Sequence, residues 1–347
     1  MANIDNQWPE QDLESVSHCP VCGQCERTIL HTGLQDYAFR AAEGKWNMYK
    51  CANCGIAYLD PRPTQSSIWR AYSNYYTHET PISLTNSSKN KFRILMRSLL
   101  NGYINSHYKL KIKPDLYIGR WLVPLIAPLR SKADCELRHI PKNNGPTMRL
   151  LDVGCGNGGY MQLARKAGWD VEGIDFDQEA VNAAGALGLT VYVGGIDVLS
   201  NIREKYDVIT LSHVIEHVYD PVGLLRNIHR LLKPGGSLWI ETPNINSRLS
   251  LKYGKNWRGL EPPRHLVLFT CEQLRKLLFT VGFSGVRQHW NRAAEWIEIH
   301  SQEIHLGRYD YEELAHKRLP LMRAMIGDAQ EILRPAKREF ITFVAHK

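Results

Sequence analysis

The pattern of apolar and polar positions divides the 347-residue chain unevenly. From residue 148 onward, short apolar runs alternate with stretches whose apolar residues recur every three or four positions. The runs "MRLLDVG" (148–154), "WDVEGID" (169–175), "LTVYVG" (189–194), "YDVITLS" (206–212) and "SLWIETP" (237–243) predict strands. Between them, "YMQLARKAG" (160–168), "QEAVNAAGAL" (178–187) and "PVGLLRNIHRLL" (221–232) predict helices, the last stopped by "KPGG". "CEQLRKLLFTVG" (271–282) reads as helix, "GVRQHW" (285–290) as extended, and "REFITFVAH" (338–346) as a last strand, with a helical insertion at about 293–337. Such alternation of strand and helix predicts an α/β domain built on a mostly parallel sheet.

The first 147 residues lack this rhythm. Residues 1–62 are rich in cysteine, whereas residues 63–147 are basic, aromatic and broken by Pro114, Pro124, Pro128 and Pro141. Within them "KFRILMRSLLNGYI" sets Phe92, Leu95, Leu99, Leu100, Tyr103 and Ile104 on one helical face. Three units are therefore expected: 1–62, a helical connector over 63–147, and the α/β domain over 148–347.

Composition narrows the class. Apolar residues make up 44% and charged ones 22%, the balance of a globular chain rather than a disordered or membrane-embedded one. The polar, acidic start lacks the apolar core of a signal peptide, and no run reaches the roughly 18 apolar residues of a span. A cytoplasmic protein is expected, with contact to the inner membrane face left open. The formal charge of +8 is local: residues 89–142 hold twelve Lys/Arg against Asp115, Asp134 and Glu136, a surplus of nine that leaves the rest at −1.

Five of the eight cysteines fall in the first 54 residues. "CPVCG" (19–23) and "CANCG" (51–55) are paired knuckles, so Cys19, Cys22, Cys51 and Cys54 offer four thiolates to one tetrahedral zinc ion. A small unit with little core gains its stability from such a metal.

Chemistry gathers at "LLDVGCGNGGYM", where Gly154, Gly156 and Gly158 lie between a strand and a helix. A ligand approaching that backbone leaves no room for a Cβ, and a helix N-terminus favours acceptor or anionic groups. Asp152 precedes the loop, Asp175 ends the next strand, Asp197 follows the third, and "LLKPGGSLWIETPN" comes later. Together these resemble the class I S-adenosylmethionine (SAM)-dependent methyltransferases over residues 148–347. The resemblance implies a Rossmann-like, seven-stranded sheet, with SAM as the methyl donor. It further implies that the Gly154–Gly158 loop, with Cys155, faces the methionine moiety, supported by Asp152. Asp175 would bind the ribose, Phe176 lie against the adenine, Asp197 contact its amino group, and Ser212 line the same pocket.

The stretch "SHVIEHV" reads alone as H-x-x-E-H, a zinc-peptidase pattern. That reading needs a long helix, whereas here the motif follows a strand and leads to Pro221. Ubiquinone-biosynthesis O-methyltransferases, which the chain resembles, carry acid-x-x-Glu-His here, and this chain has His213 in place of the first acid. If helical, the segment sets His213, Glu216 and His217 on one face, with His213 toward the transferring methyl. "NWRGLEPPRHLVLFT" (256–270) resembles a stretch of methyltransferases from cell-surface glycan and secondary-metabolite pathways. It brings His265 to the same edge, so His265 and His213 are the candidate bases; a pure loop-pinning role for His265 and Trp257 stays open.

The expected activity is O-methylation of a glycan, a lipid-linked saccharide or a related small metabolite. For the basic segment a solvated lid, a membrane-surface contact and nucleic acid are the readings, though no base-stacking platform is legible. The rivals are an RNA-modifying methyltransferase and a non-catalytic zinc- and SAM-fold binding protein. The intact glycine loop with Asp152 and Asp175 argues against the last.

Overall fold

A computed structural model describes residues 8–72, 91–143, 145, 148–291, 294–314 and 317–347. Lys89, the rest of residues 73–90 and other pieces of the expected connector and insertion lie outside these described residues. After a short β1 (Leu13–Glu14), strands β2 (Arg27–Leu34), β3 (Trp46–Cys51) and β4 (Ala57–Leu59) run antiparallel, and β5 (Arg62–Pro63) returns to pair with β1. The connector holds α1 (Lys91–Tyr108), α2 (Gly119–Leu125) and α3 (Ala127–Glu136).

The α/β domain follows the alternation in the sequence: β6 (Arg149–Val153), α4 (Gly159–Lys166), β7 (Asp170–Asp175), α5 (Gln178–Ala186), β8 (Thr190–Val193), β9 (Tyr206–Ser212), α6 (Pro221–Leu231) and β10 (Leu232–Pro243). Then come α7 (Arg248–Tyr253), β11 (Val267–Leu268), α8 (Cys271–Val281) and β12 (Ser284–His289). The chain ends with α9 (Ala294–His305), α10 (Tyr311–Leu314), α11 (Leu321–Leu333) and β13 (Phe340–His346). Seven strands form one sheet in the order β12-β13-β10-β9-β6-β7-β8, with β13 antiparallel to both its neighbours. Leu150 and Leu151 at its centre are both fully buried, since elements cover both faces and the strand must be apolar on each side.

Local chemistry fixes the helix ends. The Asp220 carboxylate accepts from Gly223 N at 2.8 Å ahead of Pro221, a cap that starts α6. Thr270 and Gln273 form a capping box on α8, and Gly282 ends it at φ 115°. The start of β10 differs from the sequence reading: the strand begins at Leu232, inside the expected stop. Leu232 already pairs with Tyr206, and a register shift before Ser237, with Gly235 at φ 76°, absorbs the "KPGG" turn within the strand.

Two large cores and a small one around Ile299, Ile304, Tyr309 and Leu314 hold the described residues together. The connector packs on one face of the sheet, where Leu100, Ile104 and Leu137 join Leu150, Met161, Trp169 and Val208. Buried Asp134 accepts 2.8 Å hydrogen bonds from the Tyr103 and Tyr108 hydroxyls, which carries α1 past its expected end at Ile104. The Cys-rich unit does not stand apart. Its β4 pairs with β11 from the α/β domain, giving a four-stranded sheet β11-β4-β3-β2, and Met48, Tyr58 and Leu59 share a core with Leu266, Val267 and Phe269.

Candidate functional site

Strand β6 ends in a loop whose Gly154 and Cys155 amides donate to Ile174 O at 2.8 and 3.1 Å, tying it to the tip of β7. Gly156 stands at φ 53°, in the left-handed region, and a Cβ there would meet nothing within 4 Å. The loop is therefore open on that side to a ligand. Its brace is Asp175: Oδ2 accepts from Gly156 N at 2.7 Å and Oδ1 from Asp177 N at 3.0 Å. Burial raises the Asp175 pKa. Beyond it, Phe176 is 76% exposed and its ring, together with an Asp197 carboxylate oxygen, closes on Gly195. Asp197, 21 residues beyond the adjacent Asp175 and Phe176, thus joins them on one rim. The Cys155 thiol turns inward against Gly173, so only its backbone faces outward.

Asp152 is wholly buried. Its Oδ1 accepts from Thr210 Oγ1 at 2.8 Å and pairs with the Arg138 guanidinium, while Oδ2 has no hydrogen-bond partner. Arg138 lies 3.7 Å over the Tyr160 ring, with the Trp239 ring 5.4 Å away and the Trp239 Nε1 buried and unpartnered. A buried carboxylate oxygen without a partner costs about 1–3 kcal/mol, which a ligand ammonium would recover. SAM fits these residues: an open glycine loop, an orphaned carboxylate oxygen and an acidic, aromatic rim. The sequence reading missed Arg138. No local pattern marks it, because its role comes from φ 49° at the end of α3, which aims it across to β6.

Ser212 ends β9, and there the chain turns through His213 at φ 54°. The expected helical face is instead one 3₁₀ turn, Ile215–His217. His213 Nδ1 lies 3.2 Å from Glu216 Oε1, its Nε2 3.6 Å from Glu241 Oε1, and its ring edge-on to Phe340. Burial alone would lower the His213 pKa, but the two carboxylates outweigh it and lift it to about 10. At neutral pH His213 carries its proton.

Glu241 was also missed, being one acid inside an apolar strand. It is charged and buried, accepting from Asn291 Nδ2 at 2.9 and 2.8 Å and Thr342 Oγ1 at 2.6 Å. Nearby, the His139 and His289 rings lie 4.0 Å apart, and burial drops His139 to about 3.

His265 is buried, and burial pulls its pKa to about 4 despite nearby Glu261. Its Nδ1 lies 2.8 Å from Gly259 O, and His217 Nδ1 lies 3.0 Å from Arg264 O. A carbonyl facing Nδ1 fixes the proton there and leaves Nε2 as an acceptor or ligand. The ligand atoms of Glu216, His217 and His265 gather within 4.8 Å, enough to hold a divalent cation. Both candidate bases thus meet in one cluster: His213 touches Glu216, and His265 stacks edge-on to His217 at 4.8 Å.

The four knuckle thiols also lie within 4.8 Å of one another, with Cys19–Cys54 and Cys22–Cys51 sulfur pairs at 3.5 Å. Tetrahedral zinc with bonds of about 2.3 Å separates its sulfurs by about 3.8 Å. The group fits.

The sheet order, with its antiparallel β13, and the glycine loop define a class I SAM-dependent methyltransferase fold. Residues 129–288 match the family model described as a methyltransferase domain. Among curated relatives, a ubiquinone biosynthesis O-methyltransferase of Coxiella burnetii (strain RSA 493 / Nine Mile phase I) is 32% identical over 108 residues, 29% of this chain and 46% of the relative. That of Pseudomonas syringae pv. tomato is 36% identical over 111 residues, 30% of this chain and 47% of the relative. The chain thus spans a little under half the length of these relatives. A SAM-dependent methyltransferase structure from Archaeoglobus fulgidus aligns at 22% identity and TM-score 0.45, covering 64% of this chain and 94% of that one.

Proposed function

We propose that the protein transfers a methyl group from SAM to a hydroxyl of a small-molecule acceptor. The observation that carries this reading is the open Gly154–Gly158 loop, braced by Asp175, at the edge that also holds the His213–Glu216–His217–His265 cluster. Within it, the finer acceptor class is a glycan or lipid-linked saccharide met at a membrane surface. No described helix is long and apolar enough to cross a membrane.

SAM, when bound, supplies an electrophilic methyl on a sulfonium. The chain's own residues then act by alignment. The Asp152 carboxylate and Arg138 offer charge to the methionine end, Asp175 holds the ribose, and Phe176 and Asp197 flank the adenine. Protonated His213, buttressed by Glu216 and Glu241, orders the acceptor side. The attacking oxygen becomes strongly acidic as its bond to carbon forms, so a neutral, weakly basic His265 suffices to take the proton. Zinc at Cys19, Cys22, Cys51 and Cys54 would hold the Cys-rich unit together. A second reading has Glu216, His217 and His265 hold a divalent cation that acidifies the acceptor hydroxyl; both Nδ1 atoms facing carbonyls favour it.

Incubation with methyl-labelled SAM and a panel of hydroxylated glycans and lipid-linked saccharides, with products read by mass spectrometry, tests the activity. Methylation of an oxygen is expected. Methylation of RNA alone, or no transfer despite SAM binding, would overturn it.

A further inference from the structure

We propose that the corner between α2 and α3 seats the enzyme on an anionic lipid bilayer, which presents the acceptor to the site. The proposal rests on the methyltransferase reading and names the surface from which its acceptor comes.

The corner is apolar and largely exposed among the described residues. Tyr117, Ile118, Trp121, Leu122, Leu125 and Ile126 are exposed by 68, 53, 61, 41, 81 and 47%. A soluble chain rarely leaves so many large side chains contiguous in water. Helix α2 is far too short to span a bilayer, but aliphatic groups beside Trp and Tyr suit the boundary between headgroups and acyl chains. The rim supplies charge of the right sign. Lys111, Lys113, Arg130 and Lys132 are exposed around the corner. The Arg120 guanidinium lies over the Tyr117 and Trp121 rings at 4.8 and 4.5 Å. From Lys109 to Ala133 the sequence holds one acid, Asp115, paired with Lys113, and Arg130 pairs with Asp134 just beyond, which leaves Lys111 and Arg120 in surplus. Basic residues flanking an apolar patch complement an anionic surface.

The same features disfavour other occupants. A two-fold contact with a second copy would press this basic rim against itself. Nucleic acid would find phosphate partners but nothing to reward the aliphatic tip of Ile118, Leu122, Leu125 and Ile126.

The seat is rigidly joined to the site. Gly102 and Gly119 let α1 and α2 touch through their backbones; a Cβ on either would lie 1.9 Å from Leu116 O or Leu99 O. Arg97 clamps Glu136 with two hydrogen bonds, at 2.5 and 3.0 Å. Helix α3 runs from the corner about 15 Å along its ten residues to Glu136, two residues before Arg138, the partner of Asp152. Along the way Ser131 Oγ donates to Trp290 O at 2.8 Å, next to the Asn291 that holds Glu241. An acceptor whose apolar end stays in the bilayer, with its hydroxyl displayed about that far beyond, meets both demands.

The test is flotation of the full chain with vesicles of phosphatidylcholine alone and with about 30% phosphatidylglycerol. Binding to the anionic vesicles is expected. The double variant Trp121→Glu/Leu125→Glu should lower it about tenfold or more, and the milder Leu125→Ala in part, with SAM affinity by calorimetry unchanged. Absence of binding, or binding indifferent to both variants, would overturn the seat, as would a dimer by sedimentation that the double variant dissolves. SAM affinity retained with vesicle binding absent condemns the seat alone, whereas loss of SAM binding in the wild type condemns the activity on which it rests.

Discussion

Arg264 and Asp36, 228 residues apart in sequence, form a fully buried, two-pronged ion pair between the Cys-rich unit and the α/β domain. Arg264 also donates to Ala71 O at 2.9 Å, and its own carbonyl faces His217 Nδ1. The Cys-rich unit therefore pins the loop that carries His265. Removing one partner strands a buried charge, which costs about 3–5 kcal/mol. Asp36→Ala should lower unfolding free energy by that order in denaturant titrations. Asp36→Leu/Arg264→Met should lose much less, and equal losses would deny the pair its role.

Zinc should act on the same loop. Strand β4 pairs with β11, and Leu59 N donates to Leu266 O while Leu266 N donates to Glu216 O. The chain should bind one zinc ion through its four knuckle cysteines. Cys51→Ser, or chelation, should loosen residues 8–72 and cut turnover, while SAM affinity, which we assign to β6 and β7, should survive. Metal content well below one equivalent in protein purified without chelator would refute this.

His265 should matter to turnover more than to SAM binding. Loss of a general base costs about 10²–10⁴ in rate, so His265→Ala should depress kcat by that order. His213→Gln should cost less, because His213 is protonated at neutral pH. If His213→Gln alone abolished turnover, the base assignment would pass away from His265.

The two histidines also bend stability with pH in opposite directions. His213, raised to about 10, binds its proton more tightly in the folded state. Its contribution is full below about 6.5 and fades as pH rises from there toward 10. His265, lowered to about 4, is neutral when folded but protonated when unfolded between about 4 and 6.5, so its contribution fades as pH falls through that window. Thermal melts of His213→Gln should lack part of the alkaline decline, and those of His265→Gln part of the acid decline. Melts that keep the wild-type slopes would refute the assigned protonation states.

Much of this was legible before any coordinates. Every strand of the large sheet was read within about two residues except β10, because each is a run of apolar residues bounded by turn formers. The knuckles and the glycine loop were legible for the same local reason. Arg138 on Asp152, Asp36 on Arg264 and β4 against β11 were not. Each joins segments whose separation leaves no periodic trace, and two depend on backbone or strand geometry that residue type does not encode. His213 shows the limit within a motif: its shared face with Glu216 was conditional on a helix, yet φ 54° and a single 3₁₀ turn still bring the two together.

The most direct measurement is calorimetric titration of the purified chain with SAM, repeated for Gly156→Ala and Asp175→Ala. A Cβ on Gly156 meets no protein atom within 4 Å, so a folded Gly156→Ala variant loses affinity through the left-handed loop and the space kept for the ligand. Asp175→Ala should weaken binding by about 1–3 kcal/mol, the worth of charged hydrogen bonds to a ribose. One equivalent of SAM bound by the wild type below millimolar concentration, and weakened by both changes, is the expected result. No binding at millimolar SAM, or binding indifferent to both, would contradict the assignment of this edge as a methyl-donor site.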